Sequence, residues 1–116
     1  MTNLQRLQLE IQGIELSQNE SAIYLEESGL KPHDEYNAQS KQAKRAILET
    51  ALSILESLSN NPTLMKDYKQ DDMTISAFHE NLLARIDQLE SKIRRMPVND
   101  SQNDSNFFML FKGQSE

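Results

Sequence analysis

Apolar positions repeat at helical spacing along most of this chain. Leu4, Leu7 and Ile11 are three and four residues apart, which gathers them on one face of a first helix running from Thr2 to about Gln12. Thr2 is suited to cap its start and Gly13 to end it. Ser17 and Glu20 form the sequence signature of a capping box, in which hydroxyl and carboxylate each satisfy the other residue's backbone N–H. A second, short helix therefore runs to about Ser28, with Gly29 as its left-handed terminator and Pro32 barring resumption.

From about Asp34 to Ser59 there is neither Pro nor Gly. Ala43, Ile47, Leu48, Ala51, Leu52, Ile54, Leu55 and Leu58 make an apolar stripe too wide for a helix touching one neighbour, so this third helix packs on several others. Asn60-Asn61-Pro62 stops it. Residues 62–75 are mixed. Leu64, Met65, Tyr68 and Met73 are candidates to tuck under the domain, Asp71-Asp72 reads as a turn, and a two-strand ribbon is only weakly signalled. Ser76 is the expected cap of a fourth helix. Its seam of Phe78, Leu82, Ile86, Leu89, Ile93 and Met96 is nearly heptad but short, which favours packing on the third helix over a coiled coil. Lys92, Arg94 and Arg95 fall in its last turn, where cations suit the negative end of the helix dipole, and Pro97 closes it.

Composition strengthens the helical reading. Among the 116 residues Leu occurs fifteen times and Val once, an inventory that suits helices better than sheets. The expected fold is all-α: a small bundle of about four helices over residues 1–97, antiparallel where connections are short. A polar linker over 98–106 and an arm over 107–116 follow it. The stretch from Asn99 to Asn106 holds no apolar residue. It leads into Phe107, Phe108, Met109, Leu110 and Phe111, which include three of the four phenylalanines. Left in water, such a run exposes several hundred Å², a size that marks an interaction site. These five residues are the candidate partner-binding site, docking into a groove or sheet edge of another protein. Eight linker residues give a reach of roughly 25 Å. The competing reading is that the segment folds back and completes the chain's own core.

Charge and chemistry narrow the function classes. The formal net charge is −6, which argues against a protein whose main work is gripping DNA phosphates. Lys41, Lys44, Arg45, Arg94 and Arg95 are better explained by solubility and i,i+4 pairing, for example Glu90 with Arg94. There is no Cys, so disulfides, thiolate metal sites and a cysteine nucleophile are excluded. Three Gly leave no room for a phosphate loop. His33-Asp34-Glu35 and His79-Glu80 have the wrong spacing for a metal site and read as solvated surface. No positioned acid–base pair or nucleophile motif stands out, so the chain is expected to be non-catalytic and without a cofactor. It shows no apolar run long enough for a membrane span and no signal peptide.

The order of elements then resembles a known family. A short helical start precedes Ile23-Tyr24-Leu25-Glu26-Glu27-Ser28-Gly29-Leu30. Tyr36 opens the long Ala/Leu-rich helix, and a loop ending Asp71-Asp72-Met73-Thr74-Ile75-Ser76 leads into a final amphipathic helix. Over roughly residues 4–96 this is similar to the small all-helical head–tail connector proteins of tailed bacteriophages, also called neck adaptors or head-completion proteins. Such proteins often carry Gly-Arg at the end of the long helix and Gly-Asp before the last one. This chain has Ser59-Asn60-Asn61-Pro62 and Asp71-Asp72 there. The resemblance implies copies of the chain assembled in a ring, commonly a dodecamer, beneath the portal protein in the virion neck, after synthesis in the host cytoplasm. The ring prolongs the DNA channel, with passing contact to DNA, and presents a surface to a tail protein or second neck protein. Extended termini tie it to its neighbours. A rival reading from the residues alone is a helical adaptor or regulatory module that binds one partner through its C-terminal aromatic motif.

Overall fold

The computed structural model describes residues 1–61, 67–69 and 73–96. Among these lie four helices and no strand: α1 (Asn3–Glu10), α2 (Gln18–Glu27), α3 (Lys41–Ser59) and α4 (Ile75–Arg95). The expected all-α bundle is thus observed. The linker 98–106 and the arm 107–116 lie outside the described residues, as do Leu64, Met65 and the Asp71-Asp72 turn.

Local chemistry sets the first two helices. The Thr2 hydroxyl accepts from the Gln5 N–H at 3.2 Å, and the Gln5 side chain returns the bond to the Thr2 N–H at 2.8 Å. Ser17 and Glu20 repeat this arrangement at the start of α2, at 3.1 and 3.4 Å. Helix α2 ends in a Schellman motif. Gly29 takes φ 87°, its N–H bonds to the Glu26 carbonyl, and the Leu30 N–H reaches back to Leu25, both at 3.0 Å.

Helix α3 begins later than the sequence predicts. Its cap is Ser40, whose hydroxyl accepts from Ala43 N–H at 3.1 Å. Residues 34–39 are taken up elsewhere. Asp34 O accepts from Asn3 N–H, Tyr36 N–H donates to Met1 O, and Thr2 and Glu35 form a single antiparallel bridge. Asn37 accepts from Gln39 N–H at 3.0 Å and holds a turn. Tyr36 therefore precedes the long helix instead of opening it. Its ring lies 5.5 Å beneath the Arg6 guanidinium, a cation–π contact. Asn3 is buried and donates from Nδ2 to Lys31 O at 2.8 Å. The first residues are thereby laced to the segment after α2.

The broad stripe of α3 is used as expected. Ile47, Leu48, Ala51, Ile54 and Leu55 are fully buried, and α3 packs on α1, α2 and α4. Its most extensive partner is α4. Phe78, Leu82, Leu89 and Ile93 of the seam are buried, and Ile86 and Met96 pack partly buried against the same core. The seam thus serves packing within the chain. Arg45, near the start of α3, donates to the carbonyl of Ile93, near the end of α4, at 3.2 Å, so the two helices run antiparallel. The cap of α4 is Thr74 rather than Ser76: the Thr74 hydroxyl accepts from Ala77 N–H at 3.1 Å. At the other end Met96 leaves the helix with ψ 146°, the extended conformation that a following proline favours.

Candidate functional site

The predicted partner-binding residues Phe107, Phe108, Met109, Leu110 and Phe111 lie outside the described residues. What the structure does place is the surface beside the point where the described chain ends. Helices α1 and α4 both pack on α3 but not on each other. The gap between the end of α1 and α4 forms a groove.

One half of this groove, about 300 Å³, has an apolar floor of Ile14, Met73, Phe78 and Leu82, with Ala84 exposed at its rim. The other half, also about 300 Å³, is lined by Arg85, Leu89, Lys92 and Arg95, with Glu10 opposite. Arg85 and Gln88 belong to both halves. An amphipathic α4 explains the division: its core seam supplies the floor, and the cations of its later turns supply the far wall.

Arg85 bridges the gap. Its guanidinium donates to the carbonyls of Glu10 and, at 2.9 Å, of Gln12. These are carbonyls at the C-terminal end of α1, where unsatisfied acceptors and the negative end of the dipole favour a cation. Both partners are neutral, so the Arg85 charge is not cancelled by them. Arg95 donates to the Ser91 hydroxyl at 2.6 Å. Glu10 is engaged by Arg6 at 3.1 Å. Among the described residues, none of Arg85, Lys92 and Arg95 pairs with a carboxylate.

The remaining sequence candidates are spent on structure. Arg45 pairs with Glu49 at 3.3 Å as well as binding Ile93, while Lys41 and Lys44 stay exposed. The i,i+4 pairs among the described residues are Arg6–Glu10 and Arg45–Glu49, not Glu90–Arg94. Glu35 pairs with the terminal ammonium of Met1 at 2.7 Å. Among the described residues no group of three or more His, Asp or Glu side chains converges as a metal site.

Two groups escaped the sequence reading. Arg85 is one. The other is a pair: the Tyr68 hydroxyl donates to Glu20 Oε2 at 2.9 Å, and Tyr68 O accepts from Glu15 N–H at 2.9 Å. The Tyr68 bond, with Ser17 adding to it, holds the Glu20 carboxyl below its ordinary range despite some desolvation. The same bond to Glu20, aided by desolvation, raises the Tyr68 phenol. This pair pins the segment before α4 to the start of α2.

Comparison with known proteins adds no relative. No family model, no curated protein and no solved structure matches this chain. Among the described residues no helix is long and apolar enough to cross a membrane.

Proposed function

We propose that this protein is a non-catalytic structural connector of a tailed-phage neck, forming a ring beneath the portal that prolongs the DNA channel. The observation that supports this reading most is the division of labour along the chain. The described helices bury a common core running from Leu4 to Ile93, and they end at Arg95. The sequence then places a polar spacer and three of its four phenylalanines in the residues beyond. A closed scaffold followed by an apolar terminus suits a subunit tied to its neighbours by its end. The element order carries the resemblance to head–tail connectors. A net charge of −6 suits a channel along which DNA must slide, since like charges do not adhere. The energy of assembly would come from modest contacts repeated around a closed ring.

The test is to mix the full chain with the portal ring encoded in the same gene neighbourhood and to image the product by electron microscopy. A continuous ring of this protein beneath the portal is the expected result. A chain that stays monomeric or dimeric in the presence of the portal overturns the reading and leaves the adaptor alternative.

A further inference from the structure

We propose that the end of the molecule where α3 begins and α4 finishes is a weak, sequence-independent contact site for the phosphate backbone of nucleic acid. This concerns the single subunit and stands apart from the connector reading: either can fail with the other intact.

Juxtaposition comes first. The sequence holds two small groups of cations on separate helices: Lys41, Lys44 and Arg45 open α3, and Lys92, Arg94 and Arg95 close α4. Antiparallel packing brings the two groups to one end. The Arg45 guanidinium donates to Ile93 O at 3.2 Å, which sets the first turns of α3 against the last turn of α4. Each group occupies little more than one helical turn, and two packed helices are together about 20 Å wide. Half of the chain's twelve Lys and Arg therefore share a patch roughly 20 Å across.

Availability comes second. The pairing that the sequence suggests for these cations is mostly absent. Among the described residues only Arg45 of the six meets a carboxylate, that of Glu49 at 3.3 Å. Lys41, Lys44, Lys92, Arg94 and Arg95 are exposed, and Arg95 donates only to the Ser91 hydroxyl. The positive end of the α3 dipole and the negative end of the α4 dipole lie side by side here and oppose each other. The side chains, not the helix ends, carry the charge.

The kind of anion comes third. Protein interfaces are anchored by large apolar or aromatic side chains. The exposed large apolar residues are Met1, Leu9, Ile23, Ile75 and Leu83, and none belongs to α3 or to the last three turns of α4. Lys and Arg without such an anchor suit a backbone of repeated charge, where affinity comes from counterion release. Duplex DNA carries one charge per ~1.7 Å of axis, so about 20 Å of it presents roughly twelve phosphates, more than these cations can neutralise. The net charge of −6 opposes closer approach by the rest of the chain and keeps the contact weak.

The test titrates the full chain into a fluorescein-labelled duplex of about 20 base pairs and reads anisotropy as salt is varied. With four cations engaged, log K should fall against log salt with a slope of about −3.6, a loss of roughly 100-fold between about 50 and 200 mM. A duplex of unrelated sequence should bind equally. Lys41→Gln with Lys44→Gln, and separately Lys92→Gln with Arg94→Gln, should each flatten the slope by about two, with helical content unchanged. Lys69→Gln, in the segment pinned to the start of α2, should leave the slope as it is. No binding at about 50 mM salt and about 100 μM protein overturns the proposal. So does a slope that only one of the two helix pairs alters, because the site requires both. Poly-glutamate that displaces the duplex as well as unlabelled duplex does, at equal charge, overturns it in favour of an acidic protein partner.

Discussion

Arg85 offers the sharpest test of how this bundle is held together. Arg85→Met keeps most of the apolar stem and removes the donors to Glu10 O and Gln12 O. A hydrogen bond to a charged group contributes ~1.5–3 kcal/mol when sheltered. Here one of the two bonds is exposed and the other only part-buried, so water replaces much of each, and about 1–2 kcal/mol for the pair follows. At a urea slope of ~1.5 kcal/mol/M that is a fall of roughly 1 M in midpoint, and in a domain of this size roughly 5–10 °C in Tm. The damage should be local as well as global. Because this side chain joins the end of α1 to α4, amide exchange at Ile11 and Ile14 should speed up before exchange within α3. Arg85→Lys keeps the charge but not the planar fork, and should recover no more than half the loss. A loss below about 0.5 kcal/mol for Arg85→Met, in the range of ordinary surface changes, would refute the bridging role. So would equal behaviour of the two variants.

Other substitutions test other joints. Ser17→Ala removes one side of the α2 capping box and should cost about 1 kcal/mol by denaturant titration. Gly29→Ala meets no atom within 4 Å but must adopt φ 87°, so only the backbone penalty remains, about 1 kcal/mol. Leu55→Ala, at a fully buried position of α3, should cost roughly 2–5 kcal/mol. Tyr68→Phe frees Glu20, and its effect should depend on pH at both extremes. The folded Glu20 carboxyl is lowered below the ordinary 4.5, so its stabilisation is present above that value and fades as pH falls through the lowered one. The Tyr68 phenol is raised above 10.0, so its share is present below that value and fades as pH climbs through the raised one. Stability curves of the parent and Tyr68→Phe should therefore converge in acid and again in strong alkali; parallel curves would contradict the bond.

What the sequence made legible was local. The Thr2 and Ser17 caps, the Gly29 terminator and the stripe of α3 are written in residues a few positions apart, and the structure has each of them. The start of α3 was not legible, because nothing within 34–40 forbids helix. The competition comes from backbone groups of Met1, Thr2 and Asn3, more than thirty residues away. Ser76 was the expected cap of the last helix, and Thr74, two residues earlier, takes that place because its hydroxyl accepts from Ala77 N–H. Arg85 carries no local signal in the sequence. Its acceptors are carbonyls 73 and 75 residues distant, and a carbonyl leaves no mark in a sequence. The Tyr68–Glu20 bond spans 48 residues and was hidden for the same reason. The groove follows from two helices sharing α3 while missing each other, an outcome of packing angles that periodicity does not encode.

The central claim is that the helical scaffold is complete without the aromatic terminus. Equilibrium unfolding of the chain ended at Asn106, compared with the full chain, tests it most directly. If residues 107–111 add nothing to the fold, the shortened chain keeps its helical signal and its stability within about 0.5 kcal/mol of the full chain. If they complete the core, three phenylalanines at ~1.5–3 kcal/mol each are forfeited, and the shortened chain unfolds or loses more than about 5 kcal/mol.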